Sequence, residues 1–229
     1  MLYSEWKPVY EAILADFGYD RRGDEKARDL LGSLVVDGDP LSVTEIDLTG
    51  TVAVCGGAST LMDELDRARR ADSVVAASNA AKVCIESDIE VDCVVTDLDK
   101  TPRTAIRLSE TDTPVAVHAH GDNTEELERF VPEFNVDSVL PTTQAAPVSP
   151  VVNPGGFTDG DRAAFLADIC GGDELVFPGW SFDDPSVSPE KAKKLRWAER
   201  LLCWLEARRS EQFDILDGRR DRIDRIGDN

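Results

Sequence analysis

From residue 51 onward, short apolar runs rich in valine alternate with amphipathic stretches, and this alternation limits the fold more than any other feature. The runs are TVAVC (51–55), SVVAAS (73–78), VDCVVT (91–96), PVAVHAH (114–120), DSVL (137–140), PVSPVV (147–152) and ELVFP (174–178). Strands buried on both faces have continuous apolar runs of this kind, and their alternation with helices is typical of a parallel sheet. We therefore predict an α/β fold with a doubly wound, mostly parallel sheet and helices on both faces.

The two ends of the chain have a helical pattern instead. Val9 and Ile13 mark an apolar helix face near the N-terminus, and a long final helix is predicted to begin near Pro189. We expect three parts: an N-terminal helical segment packed on the core (1–40), an α/β domain (41–212) and a C-terminal tail (213–229).

Charge and hydropathy narrow the classes of protein to consider. The chain has 45 acidic and 25 basic residues, a net charge of −20, with the acids spread along its length. Such a surface repels itself in dilute buffer, but molar salt shortens the electrostatic screening length to roughly 3 Å. We therefore interpret the acidic surface as an adaptation to a salty cytoplasm. No basic stripe for nucleic acid is present, and no run of about 18 apolar residues or secretory leader is seen, so we expect a cytoplasmic protein that binds neither nucleic acid nor membrane.

Ligands of a parallel sheet bind beyond the carboxyl ends of its strands, so candidate ligand-binding residues are expected at those ends. After the first run, Gly56 and Gly57 precede Ser59 and Thr60 at the start of a helix. Free amides at a helix start suit a phosphate group. A plain tight turn with a helix cap is the alternative.

The next two strand ends carry polar side chains. Asn79 follows the second run, where it either caps a helix or contacts a ligand. Asp97 and Asp99 follow the third run two residues apart, so both carboxylates can face one point beyond the sheet. Mg²⁺ commonly uses one or two carboxylates together with phosphate oxygens and water. An acidic turn in an acidic protein is the alternative interpretation.

The fourth run ends in VAVHAHGDN, which contains both histidines of the chain, His118 and His120. A His-x-His-x-Asp pattern also opens the zinc-ligand signature of one class of binuclear zinc hydrolases. That signature needs further histidines, including one at the position where this chain has Asn123. We therefore expect Asp122 to join the acidic pair in a hard oxygen-ligand site for Mg²⁺. The histidines would contact phosphate or support the metal ligands, or one of them is simply packed.

The stretch NPGGFTDGDRAAFLA (153–167) combines a flexible turn with a helix start. Thr158 or Asp159 can cap a helix that includes Asp161 and Arg162. The guanidinium of Arg162 would suit phosphate oxygens, and a surface salt bridge is the alternative.

The final helix contains three of the seven lysines within four positions, namely Lys191, Lys193 and Lys194. Such a cluster in a lysine-poor chain could reach a polyphosphate, or it could serve solubility alone. Trp197 and Trp204 follow the leucine stripe of the same helix, so we expect them to pack in the core. The five cysteines are widely spaced in apolar runs, which predicts buried free thiols.

Four strings, VVTDLD, HAHGDN, GFTDGDR and KAKKLRWAERLL, occur in this order and resemble the archaeal 6-hydroxymethyl-7,8-dihydropterin diphosphokinase family. The resemblance extends from about Trp6 to about Arg208. The fold of that family looks like the catalytic domain of thiamin pyrophosphokinase. The resemblance implies Mg²⁺-dependent transfer of diphosphate from ATP to the hydroxymethyl group of 6-hydroxymethyl-7,8-dihydropterin, with release of AMP. The product would feed folate or methanopterin synthesis.

Carried over to this chain, the resemblance implies that Asp97, Asp99 and Asp122 hold Mg²⁺ and that the Gly56-Gly57 loop and the GFTDGDR turn hold nucleotide and phosphates. His120, beside Asp122, can donate to a phosphate oxygen or orient the acceptor hydroxyl. Together with the strand-end residues above, the candidate contacts to nucleotide and phosphates are Gly56, Gly57, Ser59, Thr60, Asn79, His118, Asn123, Thr158, Asp159, Asp161, Arg162, Lys191 and Lys194.

The chain departs from the family pattern in three places. The loop usually written Gly-Gly-Gly-Pro-Ser-Leu begins here with Gly56-Gly57-Ala58, the usual Ala-Asp-Gly-Ala is replaced around Asn79, and Lys100 replaces a glycine. Because the aspartate of Ala-Asp-Gly-Ala is missing here, a nucleotide-binding protein without catalytic activity is an alternative. A second alternative, based on the Asp-x-Asp element, is a metal-dependent glycosyltransferase that uses a nucleotide-sugar. The oligomeric state is left undecided between a monomer and a homodimer.

Overall fold

The computed structural model describes residues 1–227 and contains one parallel sheet of six strands. The strands are β1 (Thr51–Cys55), β2 (Ser73–Ala77), β3 (Cys93–Thr96), β4 (Val115–Ala119), β5 (Val139–Thr143) and β6 (Glu174–Val176). Every neighbouring pair is parallel, in the order β5-β4-β3-β2-β1-β6. The predicted α/β class is confirmed.

Helices cover both faces of this sheet. They are α1 (Tyr3–Phe17), α2 (Arg21–Val35), α3 (Leu61–Arg70), α4 (Ala80–Glu86), α5 (Pro102–Ser109), α6 (Thr124–Phe130), α7 (Asp159–Ile169) and α8 (Pro189–Arg209). Along β1, Val52 and Val54 join the core that packs under α1, α7 and α8, while Ala53 and Cys55 join the core under α2 to α6. Burial on both faces explains why the strand sequences are continuous apolar runs.

The strand order reverses once, between β1 and β6. The chain steps from β1 to β5 in one direction and then returns to place β6 beside β1. The loops after β1 and β6 therefore lie side by side, and the Gly56 amide donates to the Pro178 carbonyl across 2.9 Å. Such a switch point is the usual ligand site of an open parallel sheet.

Two of the predicted runs behave differently from the others. Residues 147–152 form no extended strand and make only isolated bridges, from Val152 to Thr142 and between Val148 and Val151. Pro147 and Pro150 have no amide hydrogen to donate to a ladder, which accounts for the difference. The run at 137–140 begins with a short 3-10 turn, so its strand starts only at Val139.

Both ends of the described chain are built into the core. Trp6 of α1 is buried, and its indole N–H donates to the Gln144 carbonyl across 2.8 Å. After α8, Phe213 is buried against Phe177 with ring centroids 4.7 Å apart. The five cysteines are unpaired and buried, as expected. Among residues 1–227, no helix has the length and apolar content needed to cross a membrane.

Candidate active site

A cavity of about 490 Å³ lies along the carboxyl edge of the sheet. Loops that follow the strands form its floor, and the α1–α2 connection and the start of α8 form its sides. The residues expected to bind ligands are therefore gathered largely in one place, although several of them turn out to have structural roles.

Three carboxylates converge in this cavity. Asp97 and Asp99 follow β3, and Asp159 is the first residue of α7; one oxygen from each lies within 4.8 Å of the others. The intervening Leu98 has a φ of +69° and a buried side chain, so the backbone turns sharply while the leucine stays in the core. This turn places both aspartates on the cavity side.

The charges of this carboxylate triad, Asp97, Asp99 and Asp159, are strongly coupled. Burial and the neighbouring charge of Asp97 raise the pKa of Asp99 to about 6 and that of Asp159 to about 7. Burial also disfavours the charge on Asp97, but the hydrogen bond from His120 and the charge of Arg162 outweigh it and hold the pKa of Asp97 well below its usual range. Carboxylates that resist ionisation together become stable anions when a cation joins them.

His120 stands beside the triad, and a brace from Asn123 fixes its position. The Asp122 amide donates to His120 Nδ1 across 3.3 Å, so Nε2 carries the proton and can donate to Asp97 Oδ2, 3.4 Å away. The Asn123 side chain donates to the carbonyls of Asp97 and His118, each across 2.8 Å, and accepts from the His120 amide. Asn123 is buried and ties the ends of β3 and β4 together.

His118 belongs to the interior and does not line the main cavity. Its Nδ1–H donates to Thr142 Oγ1 across 3.0 Å, because that hydroxyl donates onward to the Val117 carbonyl. Burial and the charge of Arg162 hold the pKa of His118 well below its usual value, so the ring stays neutral. The alternative of a packed histidine describes His118 correctly, and a phosphate contact does not.

Asp122 lines the cavity but lies outside the group of converging carboxylates. The structure places Asp159 in the position that the sequence analysis assigned to Asp122. Asp122 is exposed beyond the turn that follows β4, whereas Asp159 is carried back to the sheet centre by the loop before α7. Asp159 therefore replaces Asp122 in the candidate metal site.

Asp161 has a structural role at the start of α7. It is fully buried and accepts hydrogen bonds from the amides of Phe157 and Thr158 and from the Thr158 hydroxyl. Together with the Thr158 side chain it forms a reciprocal helix cap. The expected ligand contact from Asp161 is therefore not supported, while Thr158 still lines the cavity.

Arg162 is also committed to the protein. Its guanidinium donates to Asp159 Oδ1 across 3.0 Å and to Gln144 Oε1 across 3.2 Å, and the side chain is buried. A free phosphate fork and a surface salt bridge were the two sequence-based interpretations. The structure shows an ion pair that orients Asp159, and Arg162 also lines the cavity, so the phosphate contact stays a prediction.

The glycine loop lies at the switch point. Gly56, Gly57 and Asn79 line the cavity, whereas Ser59 and Thr60 are absent from its lining. Next to the loop is Trp180, whose indole N–H donates to the Val54 carbonyl across 2.8 Å. A Cβ atom on Gly56 would lie 2.8 Å from the Trp180 ring, so only glycine allows this approach.

The lysine cluster of α8 is divided in its roles. Lys191 and Lys194 line the cavity, but Lys193 pairs with Asp16 at 2.9 Å and lies over the ring of Phe17. Lys100 lines the cavity as well. Burial and the charge of Lys100 lower the pKa of Lys191.

Sequence reasoning missed several residues of the cavity wall. Tyr19, Asp24, Lys100, Gln144 and Trp180 all line it. Gln144, Lys100 and Trp180 gave a usable signal, since Gln144 directly follows β5 and the other two lie in the loops after β3 and β6. Tyr19 and Asp24 come from the N-terminal segment, whose sequence shows no link to the sheet edge.

Comparison with known proteins adds independent information. The sequence profile of the family described as 6-hydroxymethylpterin diphosphokinase MptE-like matches residues 42–186. A Pyrococcus furiosus protein is 37% identical over 223 residues, covering 90% of this chain and 95% of its own length. A Methanothermobacter thermautotrophicus protein is 36% identical over 219 residues, covering 88% of this chain and 94% of its own length. Each of these relatives is named 6-hydroxymethyl-7,8-dihydropterin pyrophosphokinase, as is a Methanocaldococcus jannaschii protein with 28% identity over 235 residues, covering 91% and 98%.

Proposed function

The chain belongs to the family of MptE-like 6-hydroxymethylpterin diphosphokinases, and from this premise we propose that it transfers diphosphate from ATP to 6-hydroxymethyl-7,8-dihydropterin and releases AMP. The resemblance drawn from the four sequence strings is thereby confirmed, and the chain is an enzyme of this class. Family membership also removes the reason for considering a glycosyltransferase. ATP as donor, Mg²⁺ as metal and a product destined for folate or methanopterin synthesis are parts of the proposal.

The observation that carries the proposal is the convergence of Asp97, Asp99 and Asp159 in the cavity. Carboxylate oxygens are the ligands that Mg²⁺ prefers, and a bound cation would offset the burial and the mutual repulsion that raise the pKa values of Asp99 and Asp159. These three side chains would hold the metal, which supplies positive charge to the phosphate oxygens. Diphosphate transfer consists mostly of positioning and charge neutralisation, so a rigid acidic triad beside basic residues suits it.

The remaining groups of the chain bind and orient the substrates. Lys100, Lys191 and Lys194 line the same cavity as the triad, where they can contact the phosphates. His120 holds Asp97 through its Nε2–H. The acceptor hydroxyl forms a bond to the β-phosphorus, the bond from that phosphorus to the oxygen of the α-phosphate breaks, and AMP leaves with the electron pair. The hydroxyl proton passes to water.

The products of turnover test this proposal. The protein is incubated with ATP, Mg²⁺ and 6-hydroxymethyl-7,8-dihydropterin, and the nucleotides are separated by chromatography while phosphorus NMR identifies the pterin product. We expect AMP in equal amount to a diphosphorylated pterin, with both dependent on the metal. ADP as product, or ATP hydrolysis that is indifferent to the pterin, would contradict the assignment. ATP binding without any turnover would favour a protein that has lost its chemistry, consistent with Asn79 in place of an acid.

A further inference from the structure

A buried carboxylate in the N-terminal segment makes contacts that extend to the active site. Asp24, in the first turns of α2, is only 4% exposed. Its Oδ2 accepts from the Tyr10 hydroxyl across 2.6 Å and from Gln144 Nε2 across 2.9 Å, and its Oδ1 accepts from the Gly121 amide across 2.8 Å. Three donors from three different parts of the chain therefore meet at one aspartate.

The contact with Gln144 continues to the metal site. Gln144 is 4% exposed, and its Oε1 accepts from Arg162, which donates with its other terminal nitrogen to Asp159. A carboxylate can only accept hydrogen bonds, so Asp24 forces the amide nitrogen of Gln144 to face it. The amide oxygen must then face Arg162. Asp24 thus determines which end of Gln144 the guanidinium meets.

The contact with Gly121 reaches the other side of the triad. Gly121 lies between His120, which donates to Asp97, and Asp122 in the cavity wall. The backbone of α2 approaches this loop so closely that a Cβ atom on Gly121 would lie 3.2 Å from the Cα of Gly23. The Asp24 carboxylate on α2 therefore accepts hydrogen bonds both from the loop that carries His120 and from Gln144, which contacts the Arg162 partner of Asp159.

We propose that Asp24 is a positioning residue for the metal site, acting on Asp159 through Gln144 and Arg162 and on His120 through Gly121. The N-terminal helices, which lie outside the region matched by the family profile, are thereby a working part of the active site. This proposal rests on the proposed function, because it takes Asp159 as a metal ligand. Partners of metal ligands commonly change metal affinity or activity by tenfold or more when they are lost.

The polarity of this chain of contacts allows a sharp test. In Asp24→Asn one acceptor oxygen becomes an N–H donor. If that donor faces Gln144, Gln144 turns over and presents its own N–H groups to Arg162; if it faces Gly121, the Gly121 amide loses its acceptor. The double variant Asp24→Asn/Gln144→Glu restores the pattern, since the carboxylate introduced at position 144 would accept from both neighbours. Asp29→Asn is the control, because Asp29 is an exposed residue of the same helix and, within residues 1–227, pairs only with Arg28.

The measured quantities are the Mg²⁺ affinity from calorimetric titration with a non-hydrolysable ATP analogue present, kcat, the KM for each substrate and the Mg²⁺ concentration for half-maximal turnover, all below the melting temperature of each variant. We expect Asp24→Asn to raise the Mg²⁺ requirement and lower kcat, each on the order of tenfold. The double variant should recover most of both losses, and Asp29→Asn should match the parent. If Asp24→Asn acted only by lowering stability, the second substitution at position 144 would not restore the Mg²⁺ requirement or kcat.

Two results would overturn the proposal. Parent-like Mg²⁺ dependence in a folded Asp24→Asn, or a folded double variant with no recovery, would make Asp24 a packing residue. If Asp24→Asn does not fold, Gln144→Met is measured instead. This variant removes the hydrogen bonds that link Asp24 to Arg162 but leaves Asp24 its contacts with Tyr10 and Gly121. It must show the same shift in Mg²⁺ requirement. Asp159→Asn is measured in parallel: if it leaves the Mg²⁺ requirement unchanged, the metal assignment fails, whereas a shift there without one in Asp24→Asn overturns only the positioning role.

Discussion

Arg162 donates to Asp159 Oδ1 across 3.0 Å at the start of α7, where the Arg162 side chain is buried and that of Asp159 is 12% exposed. The guanidinium supplies the positive charge that keeps Asp159 in place beside two other carboxylates. We predict that Arg162→Met lowers kcat/KM by at least about tenfold, because Asp159 loses both its orientation and its partner. Steady-state kinetics at fixed Mg²⁺ measure the loss. Arg103→Met, which removes an exposed pair with Glu133 and a contact over the Phe130 ring, both away from the cavity, is the control and should retain parent-like rates.

The acidic groups can be ranked by substitution. We predict that Asp97→Asn, Asp99→Asn and Asp159→Asn each abolish Mg²⁺-dependent turnover while the protein stays folded, because each removes a charged ligand from a hard cation. Asp122→Asn should be far milder, since Asp122 lies outside the converging group. Calorimetric titration with Mg²⁺ and ATP checks the binding step. Full metal binding by Asp159→Asn together with its loss in Asp122→Asn would reverse our assignment.

Asp63→Asn serves as the matched control for Asp159→Asn. Asp63 is an exposed acid in the first turn of α3, as Asp159 is in the first turn of α7, so both substitutions remove a favourable charge from a helix start. Only the change at Asp159 should affect the metal.

The sheet and the acidic pair could be predicted from the sequence because both depend on local pattern. Valine runs indicate strands buried on both faces, and Asp97 and Asp99 directly follow one such run. The identity of the third carboxylate could not be predicted in this way. Asp122 and Asp159 both follow glycine-containing turns, and only the path of the loop before α7 brings Asp159 to the sheet centre.

Long-range partners explain the other differences. His118 and His120 are both histidines on one strand end, yet their partners differ. His118 is hydrogen-bonded in the interior to Thr142, 24 positions away, while His120 faces Asp97. Arg162 is occupied by Gln144, 18 positions away. No local pattern distinguishes a committed polar side chain from a free one, because the partner comes from another element.

The lysines of α8 should have unequal effects. We predict that Lys191→Gln raises the KM for MgATP by about tenfold, because Lys191 lines the cavity beside Lys100 and is not paired with an acid in the described chain. Lys193→Gln is the control, since Lys193 is paired with Asp16 outside the cavity wall. Initial rates are measured at one fixed salt concentration, because screening weakens such contacts. Equal KM values for both variants would mean that the cluster does not meet the nucleotide.

The coupled carboxylates also predict how stability depends on pH. In metal-free protein the pKa of Asp99 is raised to about 6 and that of Asp159 to about 7, above their usual value of 3.8. The folded state then binds these protons more tightly than the unfolded state. The resulting stabilisation is fully present below about pH 4 and is lost as the pH rises through 6 and 7. Mg²⁺ reverses the preference, because it binds the ionised carboxylates of the folded state.

Melting temperatures between pH 4 and pH 8, in EDTA and in excess Mg²⁺, measure this effect. We expect the gain from Mg²⁺ to be small near pH 5 and to increase through pH 7, because protons compete with the metal at the lower pH. Asp159→Asn lacks the group with the higher pKa, so its melting temperature in EDTA should fall less than that of the parent between pH 5 and pH 8. Asp63→Asn keeps the triad and should follow the parent. Identical pH profiles for the parent and Asp159→Asn in EDTA would show that the triad does not hold its protons in the metal-free protein.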